Sequence, residues 1–376
     1  MLPKLDLRCV AAIALLATAG TGVAQQNVPV FAGRGPVTLH VPPQYSPQNP
    51  TPLVVIIHGY GSNADMLERY IQFTPLSDEQ DFLLVFPNGL FDQLDNRYWN
   101  GTDACCGPDS DDSGYLRALI ANISGKFNVD ARRIFVFGHS NGGYMAHRMG
   151  CDTADIIAAF ASLSGATWLD QSNCVPAGPV HALEIHGTED DHVYYDGGCW
   201  GDDHCFPSAQ ETTQDWASLN HCGTAETSPL LLDLTADIDG LDTVKTNYNG
   251  CDAGGSAALW TIVGGRHHPE LSDSFSDTVI RYLLSHPKPS DIACEEIVSL
   301  RTGCEVNTSL GVDLGLSSSD HDGTTVDIEV DGTLKIVTVR GSHAKVLLPG
   351  QWRGDHTVRL VEPNACRADI KVACGQ

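Results

Sequence analysis

The apolar run Ile134-Phe135-Val136-Phe137 passes directly into Gly138-His139-Ser140-Asn141-Gly142, and an amphipathic stretch, Gly143 to Met149, follows at once. Strand pattern and helix pattern have no spacer between them, so the chain must reverse within the five residues that hold the serine. Glycine at both ends permits such a turn, because a side chain there would meet the strand or the helix being joined. The serine then projects its hydroxyl from the edge of a sheet, beside a helix N-terminus whose first N–H groups lack intrahelical partners. This G-x-S-x-G turn predicts a nucleophile at Ser140, with the Asn141 N–H as one oxyanion donor.

A serine of this kind needs a carboxylate and an imidazole, each carried by a loop after its own strand. Val180 to Ile185 runs into His186-Gly187-Thr188-Glu189-Asp190-Asp191, and Ala257 to Val263 runs into Gly264-Gly265-Arg266-His267-His268-Pro269. Both are short buried-strand patterns ending in Gly-rich or polar loops. In open α/β sheets, ligands bind at such carboxyl-end loops. Asp190, Asp191 and Glu189 are the candidate acids, and His267 and His268 the candidate bases. Asp190 and His267 are preferred, partly on the resemblance given below. In that reading Ser140 attacks an acyl carbonyl, His267 takes and returns the proton, and Asp190 orients the imidazole. The strand pattern Leu53–Ile57 is followed by His58-Gly59-Tyr60-Gly61, which makes the Tyr60 N–H the second oxyanion donor. The rings of Tyr60, Trp99 and Trp200 are expected to wall the substrate, and His186 and His58 read as structural groups at strand ends. No metal and no cofactor is expected.

Strand patterns at Val37–Val41, Leu53–Ile57, Phe82–Phe86, Ile134–Phe137, Phe160–Leu163, Ala182–Ile185 and Leu259–Val263 alternate with helical patterns near 64–71, 113–126, 141–149, 208–220 and 273–285. That rhythm predicts an α/β fold with a mostly parallel, doubly covered sheet. After Pro287-Lys288-Pro289-Ser290 the pattern changes to Val- and Thr-rich alternation, with Asp331-Gly332 as a hairpin signal. A small disulfide-tied antiparallel β domain, a sandwich, is expected there. It holds one tryptophan, Trp352, and neither tyrosine nor phenylalanine, which is sparse for a polymer-binding face. The expected boundaries are a signal peptide at 1–24, a catalytic domain at 25–287 and an accessory domain at 288–376.

Several stretches resemble the secreted poly(3-hydroxybutyrate) depolymerase and feruloyl esterase-like family of α/β-hydrolases. They are Pro52 to Gly59, Trp99-Asn100-Gly101-Thr102-Asp103-Ala104-Cys105-Cys106, Asp111 to Leu116, Val129-Asp130 to Arg133, Gly138 to Gly143, His186 to Asp190 and Gly264 to Pro269, in the family's order across about residues 35 to 287. The resemblance implies the α/β-hydrolase fold, Ser140, Asp190 and His267 as the triad, and Trp99 near the cleft. It also implies the pairs Cys151–Cys174 and Cys222–Cys251, and it leaves a vicinal Cys105–Cys106 bond open. The chain departs from many members at Arg266, which replaces a glycine, and at His268-Pro269, where no tryptophan follows. Gly197 to Cys205 looks like an insertion, stapled by Cys199–Cys205.

Of 13 cysteines, Cys9 falls in the leader, and the remaining even numbers on each side of residue 290 suggest bridges closing within each part. The formal charge of −25 disfavours nucleic acid and acidic lipid as partners. A secreted (extracellular or periplasmic) monomer acting on a polymeric or small ester is expected, away from any membrane. The competing functions are a serine peptidase on the same fold and a polymer-binding protein with a vestigial triad.

Overall fold

The structure, a computed structural model, describes residues 27–105, 109–201, 204–292, 294–305, 309–349, 354–362 and 369–374. The leader at 1–24, Cys106 and Trp352 lie outside the described residues. A ten-stranded sheet forms the body of the molecule. Its centre is parallel, in the spatial order Leu83–Phe86, Thr51–Ile57, Val129–His139, Ala159–Leu163, His181–Gly187 and Ser256–Ile262. Antiparallel pairs flank it, Asn27–Phe31 with Pro36–His40 on one side and Ala225–Leu232 with Thr243–Tyr248 on the other.

The central strands are apolar on both faces, as strands covered on both sides must be. Leu53, Val55 and Ile57 face one core, together with Leu116, Leu119 and Ile123 of helix Asp112–Ser124, Met145 and Met149 of helix Asn141–Asp152, and Trp216 of helix Ala209–Leu219. Val54 and Ile56 face the other, with Leu67 and Ile71 of Ala64–Ile71, Phe73 of Phe73–Gln80 and Phe275, Val279 and Leu283 of Phe275–Leu284. Every parallel strand therefore delivers its carboxyl end to the same edge, and the loops that carry Tyr60, Ser140, Asp190 and His267 emerge there.

The second sheet is one seven-stranded antiparallel array from Ile297–Glu305 to Asp369–Cys374. It is not the two stacked sheets expected. Cys304–Cys374 ties its first strand to its last, and the sheet curls around Leu310, Val312, Leu314, Val326, Ile328, Val339 and Val358. Asp331 at φ 50° and Gly332 at φ 80° make the tight turn between Thr325–Val330 and Thr333–Arg340. The two sheets meet at a buried ionic cluster. Arg133, fully buried on the strand before Ser140, reaches Asp130 Oδ2 at 2.7 Å, Thr325 Oγ1 at 2.8 Å and the carboxylate of Asp327.

Cys151–Cys174, Cys199–Cys205 and Cys222–Cys251 are all formed, and Cys105 and Cys294 are also disulfide-bonded. Among the described residues, no helix is long and apolar enough to cross a membrane.

Candidate active site

Ser140 stands between Val129–His139 and the helix Asn141–Asp152 at φ 57°, ψ −123°. A residue with a Cβ holds that backbone only at a cost of about 1–3 kcal/mol, so the surroundings must over-determine it. They do: Ser140 N–H donates to Leu163 O at 2.8 Å, and Ser140 O accepts from Tyr144 N–H at 3.0 Å. The flanking glycines are required by space. A Cβ on Gly138 would overlap the Gly142 carbonyl, and one on Gly142 would overlap the carbonyl of Ile57 on the adjacent strand. All of these obstacles are main chain. Gly142→Ala is therefore expected to cost about 2 kcal/mol or more in urea denaturation, since overpacking against backbone finds no rotamer to relieve it.

His267 Nε2 lies 2.9 Å from Ser140 Oγ, and His267 Nδ1 lies 2.9 and 3.0 Å from the two oxygens of Asp190. His267 and Asp190 are buried, while Ser140 still reaches solvent. Asp190 Oδ1 also accepts the N–H groups of His192 at 2.9 Å and Val193 at 2.8 Å. Burial alone would raise this carboxyl. The hydrogen bonds from His186 and His267 outweigh it and hold Asp190 well below the usual carboxylate range. The other candidates sit elsewhere. Asp191 is exposed and paired with the His192 ring, Glu189 is exposed, and His268 is exposed with its ring against His139 and Tyr70. An imidazole bonded on one side to a carboxylate and on the other to a hydroxyl is able to take the hydroxyl proton and stay oriented while doing so.

The loop after Thr51–Ile57 runs against the serine: a Cβ on Gly59 would lie 3.3 Å from Ser140 Cβ. His58 pins that loop, since its Nδ1 donates to Gly59 O at 2.8 Å while its Nε2 accepts from Gly89 N–H at 3.0 Å. Burial, opposed by the Gly59 bond and aided by Arg97, lowers this ring to about 4, so it is neutral. Tyr60, next along, is 43% exposed, with its hydroxyl bonded to Asp92 and accepting from Asn96 Nδ2 at 3.2 Å.

Trp99 is placed differently from the sequence expectation. Its ring is fully buried between His58 and Tyr115 and packs into the core, so it walls no cleft. Its main chain takes part instead. Asn141 Oδ1 accepts from Trp99 N–H at 2.7 Å and Asn141 Nδ2 donates to Trp99 O at 2.8 Å, which moors the 99–105 loop to the start of the helix after Ser140. Trp200 is half-buried in the hairpin Gly198–Trp200 with His204–Phe206. It packs on Phe206 and donates from Nε1 to His192 O at 2.7 Å. The His192 ring in turn stacks on His267 with centroids 4.8 Å apart, so the Gly198–Trp200 hairpin strand buttresses the imidazole through His192.

His139, His192 and Glu184 were not singled out from the sequence. His139 Nε2 donates to His267 O at 3.0 Å, and burial, with the His267 and His268 rings adding to it, lowers this imidazole to about 3. His139, His267 and His268 cluster closely, as do Asp190, Asp191 and His192. In the first group His267 is bonded to Ser140 and Asp190 and His139 to the His267 carbonyl, and in the second Asp190 is bonded to His267 and Asp191 to the His192 ring.

A hydroxyl, an imidazole and a carboxylate bonded in sequence at the carboxyl edge of a mostly parallel sheet are the parts that serine hydrolases use. Residues 36–191 match the model of the Esterase PHB depolymerase family. Feruloyl esterase B of Piromyces equi is 30% identical over 241 residues, 61% of this chain and 42% of that protein. Feruloyl esterase D of Neurospora crassa is 24% identical over 250 residues, 63% of this chain and 74% of that protein. The chain thus spans under half the length of the first of these relatives. Among solved structures, the acetyl xylan esterase from Aspergillus awamori aligns over 69% of this chain and 98% of its own, at 16% identity and a TM-score of 0.49.

Proposed function

We propose that the chain is a secreted serine carboxylic ester hydrolase of the α/β-hydrolase fold that works through an acyl-enzyme. The observation that carries this reading is the unbroken hydrogen-bonded sequence Ser140–His267–Asp190 on a strained turn. Ser140 Oγ attacks the ester carbonyl while His267 Nε2 accepts its proton. The oxyanion is met by the Asn141 and Tyr60 N–H groups, and such donors are worth about 10²–10³ in rate each. The C–O bond to the alcohol then breaks and His267 protonates the departing oxygen. Water, activated by the same imidazole, releases the acid and regenerates Ser140. Asp190 keeps the imidazole oriented throughout.

The natural substrate is a feruloyl or acetyl ester of plant polysaccharide, or a polyester of the poly(3-hydroxybutyrate) kind. Two features support such bulky esters: the hydroxyl reaches solvent, and exposed Tyr60 and half-buried Trp200 offer flat faces. The names of the family and of the relatives point the same way. Formed disulfides fit an exported protein, and residues 288–376, which carry the second sheet, are read as an accessory domain. Release of p-nitrophenol from short-chain p-nitrophenyl esters tests the activity. Rates on methyl ferulate, acetylated xylan and poly(3-hydroxybutyrate) film then separate the substrates. Hydrolysis of none of these esters would overturn the proposal.

A further inference from the structure

Behind Asp190 a polar network runs through the core. Trp216 Nε1 donates to His147 Nδ1 at 2.9 Å, and His147 Nε2 lies 2.9 Å from Glu184 Oε2. Glu184 Oε1 lies 2.9 Å from His186 Nδ1, and His186 Nε2 lies 2.7 Å from Val193 O and 3.5 Å from Asp190 Oδ2. Trp216, His147, Glu184 and His186 are all at most 2% exposed.

The protonation states follow from donors and acceptors. The indole is a donor only, so His147 Nδ1 accepts, and the proton of this ring sits on Nε2, facing Glu184. Glu184 then meets N–H groups at both oxygens, His147 on one, His186 and the Gly165 N–H at 3.3 Å on the other, which suits a carboxylate. His186 faces that carboxylate with one nitrogen and a carbonyl with the other. Both of its nitrogens must donate, and an imidazole that donates from both carries a positive charge.

We propose that His186 is a positioning residue: a buried imidazolium, balanced by Glu184, that braces the far side of Asp190 and sets the acid limit of the esterase reaction. The inference rests on the triad reading above. A cation behind Asp190 offsets part of its field, so it opposes the second positive charge that would form on His267 when that ring protonates in acid. The base therefore stays ready to accept the Ser140 proton at lower pH than an unbraced Asp–His pair allows.

The groups around both rings support this. His186 is faced by Glu184 from its own strand, by Asp190 and the Tyr195 ring from the following loop, and by Thr261 beside it on Ser256–Ile262. Tyr144 and His147 of the helix Asn141–Asp152 lie behind Glu184. His267 is faced by Asp190, Ser140 and the rings of His139, His192 and His268. Burial works against charge on His186, but the bonds to Asp190 and Glu184 outweigh it and lift this ring to about 10. Burial likewise would raise Glu184, and the bonds from His147 and His186 hold it below the usual carboxylate range.

The test is the pH profile of kcat/KM on p-nitrophenyl acetate. For His186→Gln the acid limb is expected to move up by about one pH unit, while turnover at pH 8 stays within about tenfold of the unmodified protein. The double variant Glu184→Gln/His186→Gln removes both buried charges and so guards against misfolding. Its limb also moves up, by less, because the lost anion is farther from His267 than the lost cation. An acid limb unmoved in both variants, with rate lost equally at every pH, overturns the proposal and leaves a structural role.

Nitrogen NMR on the unmodified protein carrying 15N-histidine does not depend on turnover. At pH 8, where an ordinary imidazole is neutral, one ring with both nitrogens protonated is expected, and its absence overturns the proposal. Ser140→Ala separates the two readings. If that variant still turns over ester, the triad fails while the nitrogen signal continues to report on His186.

Discussion

Ser140→Ala is expected to lower kcat on p-nitrophenyl acetate by about 10⁴–10⁶-fold while leaving the circular dichroism spectrum unchanged. Among the described residues the side-chain oxygen is hydrogen-bonded to His267, and Ser140 belongs to neither core cluster, so its removal opens no cavity there. His267→Ala should cost nearly as much, and the double variant little more than either single one, because a nucleophile and its base act as one unit. Losses that multiply in the double variant would mean that the two side chains serve separate steps. Asp190→Asn should be severe as well, by about 10⁴-fold, since an amide no longer holds the imidazole in the required tautomer.

The largest effect on stability is expected at Asp327→Ala. The Arg133 guanidinium has no exposure, and its carboxylate partners are Asp130 from its own strand and Asp327 from the second sheet. Removing Asp327 leaves a buried cation with half its compensation, a change that costs about 3–5 kcal/mol. The neighbouring Arg132 donates from Nε to Lys288 O at 2.9 Å and from Nη1 to Thr325 O at 2.6 Å, so the same junction also holds the segment between the sheets. Urea denaturation followed by tryptophan fluorescence should show the transition moving to lower denaturant. Because the strand that carries Arg133 leads directly into Ser140, esterase activity should disappear over the same denaturant range. A loss below about 1 kcal/mol would show that the cluster does not hold the sheets together. Arg133→Met combined with Asp327→Leu is expected to be milder than Asp327→Ala, since it removes both charges at once.

The parallel centre of the sheet was legible because its strands are apolar on both faces and end in Gly-rich loops. The turn at Ser140 was legible because two glycines bracket it. The strands Ala225–Leu232 and Thr243–Tyr248 were missed, since the first contains Pro229 and polar residues. The structure puts it at the sheet edge with a register shift between Ser228 and Leu231, where proline is tolerated. Helix Phe73–Gln80 was missed for a similar reason: Pro75 reads as a breaker, yet it lies in the first turn, where its missing N–H is not needed.

Trp99 was placed by resemblance in the cleft, and only the packing against His58 and Tyr115 reveals that its backbone, rather than its ring, serves the site. Glu184 did carry a signal. A carboxylate in the run Ala182-Leu183-Glu184-Ile185 must find partners once that strand is buried, and two positions on stands His186. The pairing of His192 with His267 had no such signal, because it depends on how the loop from Asp190 to Cys205 folds.

Labelling with a fluorophosphonate, followed by mapping of the modified peptide, asks most directly whether the serine on the strained turn is the nucleophile. The label should fall on Ser140 in the native protein and vanish in His267→Ala. A label on any other serine, or none on a protein that hydrolyses esters, would contradict the account.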